Sequence, residues 1–86
     1  MQNFMRKFTQ LNGEKVKVLL EHRLFDKQVF HCDELKTIND ENRIGLILKG
    51  QEVFLYKHDI KYAKTYDNLY ILSDGRMTIT LIVNKL

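Results

Sequence analysis

Short segments of alternating apolar and polar residues, cut by turn-forming pairs, constrain this chain more than any other feature. In KVKVLLE, Val16, Val18 and Leu20 fall on one side and Lys15, Lys17 and Glu21 on the other, the period-two pattern of a half-buried strand. His22 to Lys27 reads as the turn after it, and a second strand runs from Gln28 to Cys32, with a bent or bulged continuation through Leu35 and Ile38. Asn39-Asp40-Glu41-Asn42 is a turn, since short polar side chains bond to their own backbone and tolerate unusual dihedrals. Arg43 to Lys49 is the third strand, and Gly50-Gln51 turns the chain into a fourth beginning near Glu52. Asp67-Asn68 and Asp74-Gly75 mark two further turns, which separate Leu69 to Ser73 from Met77 to Val83, and the Asp-Gly pair suits a tight hairpin.

Before Gly13 the period is different. Phe4, Phe8 and Leu11 share one helical face, and Asn12-Gly13 supplies a stop at which glycine accepts a positive φ. A helix of two to three turns does not persist alone, so it is expected to pack on the strands. One helix followed by five to seven closely connected strands, with no later helical period, predicts a mainly β fold: a small, strongly bent antiparallel sheet or barrel.

The 86 residues suit one domain, and 44% hydrophobic with 29% charged residues describes a chain that folds. No apolar run reaches the roughly 18 residues needed to span a bilayer, and MQNFMRKFTQLNG lacks the apolar segment of a signal peptide, so a cytoplasmic protein with no membrane partner is expected. The single cysteine, Cys32, fits a reducing compartment. Net charge of +3 is compatible with phosphate binding without establishing it.

Sites for chemistry are scarce. His31-Cys32-Asp33 gathers three ligand types, but adjacent strand positions point to opposite faces and no paired metal-ligand spacing accompanies them. Phosphate-binding loops, dinucleotide fingerprints, nucleophile elbows and convincing carboxylate pairs are missing from the sequence. The expectation is a non-enzymatic protein with no catalytic residue, metal or cofactor.

FLYKHDIKYAKTYDNLY, Phe54 to Tyr70, is the richest segment. Extended from Phe54 to Tyr62, it places Phe54, Tyr56, His58, Ile60 and Tyr62 on one face and Lys57, Asp59 and Lys61 on the other. The first set could stack on bases while the lysines meet phosphate, or it could fill the core while the lysines meet water. Tyr66 and Tyr70 flank the Asp67-Asn68 turn and could form part of a protein interface.

Tyr56-Lys57-His58-Asp59 resembles the Y-K-H-A signature of the Sm-like/Hfq family of RNA-binding proteins, and the order helix, KVKVLLE, KTIND, RIGLILK, QEVFLYKHDI is similar to that family's. The resemblance implies an Sm-like or SH3-like core over residues 14–65, after a helix in residues 1–12, with residues 66–86 as an added C-terminal hairpin. It further implies a homo-oligomeric ring holding single-stranded RNA, uridine- or adenine-rich. Lys57 and His58 would then contact the RNA, Tyr56 would support them, and Lys61 would add positive charge beside them. Asp59 stands where the family has alanine and places a carboxylate at that site. The second reading is a protein-binding or assembly module, viral or regulatory, that uses Tyr66 and Tyr70.

Overall fold

The computed structural model describes residues 2–83, and Met1 and residues 84–86, the ends of the expected helical and hairpin segments, lie outside it. Helix α1 covers Gln2–Thr9. Strands follow as β1 Val16–His22, β2 Phe25–Cys32, β3 Lys36–Asn39, β4 Arg43–Leu48, β5 Gln51–Tyr56, β6 Tyr62–Tyr66, β7 Leu69–Ser73 and β8 Met77–Val83. They form two antiparallel sheets, one of five strands in the order β2-β1-β8-β7-β6 and one of three in the order β3-β4-β5.

The mainly β character and the N-terminal helix agree with the sequence reading, but the strongly bent sheet or barrel does not. Both sheets are open, because the ladders end at β2 and β6 in one and at β3 and β5 in the other. The physical cause lies in two breaks. Asp33 to Leu35 carries the chain from β2 into the second sheet instead of continuing the strand, and Lys57 to Lys61 carries it back. The place beside β1 that a closing strand would need is taken by β8, paired from Val16↔Val83 to His22↔Met77. The expected strand from Phe54 to Tyr62 is likewise corrected: it stops at Tyr56, and Lys57–Asp59 form a 3-10 turn.

Alternation explains which side chains the layers enclose. Val16 and Val18 of β1, Leu72 of β7 and Ile79, Leu81 and Val83 of β8 form the inner face of the large sheet and are buried. Ile44, Leu46 and Leu48 of β4 and Leu55 of β5 face them from the small sheet. Phe4, Phe8 and Leu11 close one end, the same three residues that define the apolar stripe in sequence, with the Phe4 and Phe8 rings stacked at 5.8 Å. Full burial of each such side chain contributes about 1.5 to 3 kcal/mol before its entropy cost is counted.

The segment after α1 also shields an edge. Asn12 Oδ1 accepts from both the amide and the hydroxyl of Thr37, at 2.8 and 3.0 Å, and Asn39 Nδ2 donates to the Thr9 hydroxyl. Gly13, at φ 86°, donates its amide to the Leu35 carbonyl, while the Leu35 amide donates to Glu14. An edge strand otherwise offers its free backbone groups to any passing chain.

Two aspartates order the turns as short acidic side chains do. Asp40 Oδ1 accepts from the amides of Asn42 and Arg43, and Asp74 Oδ1 from those of Arg76 and Met77. Between β4 and β5 the turn is Lys49-Gly50, one residue earlier than expected, with both φ values positive as a two-residue hairpin loop requires.

Candidate interaction surface

The Tyr56-Lys57-His58-Asp59 tetrad sits where the chain leaves the small sheet. Tyr56 ends β5, its ring edge-on to Phe54 at 5.4 Å and stacked with the exposed His58 ring at 5.8 Å. The Arg43 guanidinium lies 4.8 Å from the Phe54 ring centre, held there by ion pairs to Asp40 at 2.7 Å and Glu52 at 3.2 Å. Lys57 is tied at both ends: its amide donates to the Asn42 carbonyl and its ammonium to the Asp40 carbonyl. His58 Nε2 lies 3.6 Å from the Asp59 carboxylate. Lys61 is exposed on the following segment, its amide donating to Ser73 and its stem close to Gly75. The structure therefore unites Tyr56 with His58, commits the Lys57 ammonium to the Asp40 turn, and puts Lys61 beside a different turn.

Beside this tetrad the two sheets leave an open cleft whose walls include Tyr56, His22 and Met77 together with Asp59, Asp74 and Arg76. Its acidic groups are partly occupied. Burial opposes ionisation of Asp74, but amide hydrogen bonds from Met77 and Arg76 and the Arg76 charge outweigh it and hold the carboxyl below the ordinary aspartate range. Outside the cleft, in the turn before β4, the hydrogen bond from the Arg43 side chain, followed by the Asn42 amide, lowers the Asp40 carboxyl in the same direction.

Tyr66 and Tyr70 fall on opposite sides of the large sheet. Tyr70 pairs with Thr65 and Leu81 on the inner side and meets Phe4 edge-on at 6.1 Å. Tyr66 pairs with Leu69 on the outer side and is 52% exposed. Lys64 stands between Tyr66 and Tyr62, its ammonium 5.8 and 5.4 Å from their ring centres. Hydrogen bonding to Lys64, and then its charge, hold the Tyr66 phenol below the usual tyrosine range.

The register extends that outer face across all five strands. One row runs His31, Lys17, Ile82, Leu69, Tyr66; the next runs Val29, Leu19, Thr80, Ile71, Lys64; the third runs Glu21, Thr78, Ser73, Tyr62. Its middle is aliphatic, with Leu19 and Ile71 on either side of a buried Thr80, and Val29 at the margin is 48% exposed. The inner face is covered by α1 and the small sheet, and no described element lies over the outer one.

Its charge is mixed with a small positive excess. Lys17 and Lys64 lie in these rows with Glu21; at the margins the continued register sets Lys15 against Asp33, and the register shift in β2 puts both Asp26 and Lys27 opposite Glu21. Four lysines against three acids leave this face a formal +1.

No protein-family model, curated protein or solved structure matches this chain. Its surfaces are consequently interpreted from their own chemistry. Among the described residues, no three His, Cys, Asp or Glu side chains are grouped to hold a metal ion, and no helix is long and apolar enough to cross a membrane.

The outer face escaped the sequence reading although a signal for it exists. Leu19 interrupts the alternation of KVKVLLE, and Leu81-Ile82-Val83 is apolar on successive positions, so that both β1 and β8 present apolar groups to both sides. Strands apolar on both faces are those with both faces to cover.

Proposed function

We propose that this chain is a non-enzymatic protein-binding module, that its docking surface is the outer face of the five-stranded sheet, and that its partner presents an acidic, amphipathic element. The observation that carries this reading is the aliphatic centre of Leu19, Ile71, Leu69 and Ile82 with the exposed Lys17 and Lys64 beside it, inside a charged margin of small positive excess. An apolar centre with a polar margin is the anatomy of a protein interface, and complementary charge at the margin selects the partner and speeds encounter.

The lysines next to the centre argue against a second copy as the occupant, since two such faces would set Lys17 and Lys64 against their own copies. Single-stranded RNA is the weaker occupant for a different reason. Recognition of unpaired bases relies on exposed aromatic rings, and here the centre is aliphatic while Tyr62 and Tyr66 stand at one edge with Lys64 between them. At the tetrad, the lysine that the RNA reading needs is engaged by the Asp40 carbonyl.

The test is a titration of the isotopically labelled chain with a helical peptide bearing one aliphatic face flanked by glutamates. The same peptide with lysines replacing the glutamates, and a uridine-rich RNA oligomer, serve as parallel arms. Amide shifts centred on Leu19, Ile71 and Ile82, caused by the acidic peptide and lost in Ile71→Lys, are the expected result. Equal shifts from the lysine peptide, none from the acidic peptide, or tighter binding of the RNA would overturn the reading.

A further inference from the structure

At one end of the outer face the side chains part to leave a hollow of about 200 Å³. It is lined by Lys15, Val16 and Lys17 from β1 and its approach, His31 and Cys32 from β2, and Ile82 from β8. Register explains the grouping, since Lys17 lies directly between His31 on one neighbouring strand and Ile82 on the other. Lys15 follows two positions away on the same side. Three nitrogen bases thus surround a largely hydrocarbon surface, and no carboxylate is among the lining groups, although Glu14 and Asp33 flank the segments in sequence.

We propose that this hollow is a binding site for a small organic carboxylate. The charged end would sit among the Lys15 and Lys17 ammonium groups and the His31 imidazole, and a body of a few carbons would lie against Ile82, Val16 and Cys32. Two features define the class. Sites for drug-sized ligands measure about 300 to 1,000 Å³, so a hollow of this size takes a molecule with few non-hydrogen atoms. Its apolar lining distinguishes a carboxylate with a hydrocarbon body from inorganic phosphate, which would leave that surface uncovered.

The thiol is suited to this surrounding. Burial pushes Cys32 up from the ordinary cysteine range and the Asp33 charge adds to the effect, so the sulfur stays protonated at neutral pH; the Asp33 carboxylate itself opposes an arriving anion, and Lys15, which the continued register sets against it, offsets that charge. The hollow shares Ile82, Lys15 and Lys17 with the docking face, whereas Leu19 and Ile71 belong to that face alone, so amide shifts at Leu19 and Ile71 distinguish a bound partner from a bound carboxylate.

Cys32 is the only cysteine in the chain and so reports on occupancy. The full chain is treated with N-ethylmaleimide and the intact mass followed over time, with hexanoate, hexanol or inorganic phosphate added to tens of millimolar. Backbone amide shifts at Lys17, His31 and Ile82 are recorded in parallel. Hexanoate is expected to slow alkylation saturably, by about fivefold once it exceeds its dissociation constant about fourfold, and to shift those three amides. Hexanol and phosphate should do neither, and Lys17→Met, checked for an unchanged fold by its amide spectrum, should weaken the effect of hexanoate. Equal protection by hexanol would remove the role of charge, and equal protection by phosphate would remove the role of the apolar lining. Unchanged alkylation together with unchanged amides in hexanoate would dispose of the site altogether.

Discussion

The Lys57 ammonium donates a hydrogen bond to the main-chain carbonyl of Asp40, joining the turn after β5 to the turn before β4. This bond gives the lysine a structural task at the position where the sequence suggested contact with RNA. Replacing Lys57 with Met should lower stability by about 0.5 to 1 kcal/mol, since a largely solvent-accessible hydrogen bond contributes modestly. Urea unfolding would measure the loss, and binding at the outer sheet face should be unchanged.

Gly45 lies opposite Phe54 in the β4–β5 ladder, and an added Cβ would stand 2.0 Å from the Val53 carbonyl oxygen and 2.5 Å from the Phe54 Cα. Both obstacles are backbone, so a rotamer change cannot relieve them. Gly45→Ala should therefore cost about 3 kcal/mol or more, or prevent folding, which a thermal melt followed by circular dichroism would detect. Gly50→Ala serves as a control for a different cause: nothing lies within 4 Å of its added methyl, and the penalty comes from the positive φ alone.

Asn12 bridges the segment after α1 to β3 through one oxygen that accepts twice from Thr37. Asn12→Ala leaves the Thr37 amide and hydroxyl to find water and should reduce stability by about 1 to 2 kcal/mol. Hydrogen exchange should rise first at the Thr37 amide and its neighbours in β3, because they form the edge that this contact shields.

Asp74 binds its proton less readily in the folded chain than an unfolded aspartate does, because the amide bonds from Met77 and Arg76 and the Arg76 charge overcome its burial. Its contribution is present above the ordinary aspartate value of about 3.9 and is lost as pH falls through the lower folded value. Asp40 acts with the same sign through Arg43 and the Asn42 amide. Asp74→Asn should therefore flatten the acid limb of the stability profile, measured as the urea midpoint at successive pH values from neutral downward. A variant whose acid limb stays parallel to that of the parent would show that the turn is not a source of acid sensitivity.

Lys64 lowers the Tyr66 phenol through hydrogen bonding and charge. In a spectrophotometric alkaline titration Tyr66 should ionise below the usual tyrosine range, and Lys64→Met should raise it back toward that range. Nuclear magnetic resonance of the Tyr66 ring would assign the step.

Several features were legible because neighbours in sequence decide them. The Phe4, Phe8 and Leu11 stripe is buried as the helical period indicates, and Val16 and Val18 are buried as the strand period indicates. Asp40 and Asp74 order their turns through bonds to amides two and three residues away. The candidate surface was much less legible. Tyr66 was singled out and lies on it, but Leu19, Val29, Ile71 and Ile82 come from four strands that gain a common face only through pairing.

What this chain determined by itself is local: a helix, strands, most of the turns, and which alternate residues are apolar, because backbone sterics and hydrogen bonding within a few residues settle those. Only the tertiary structure decided that β8 would occupy the place beside β1, that Lys57–Asp59 would turn out of the strand, and that both sheets would stay open. Alternation states that a strand has an apolar side without naming the strand beside it. The partner is chosen by how all the apolar sides can be covered at once, and that choice gathered the lysines and aliphatic side chains of the outer face.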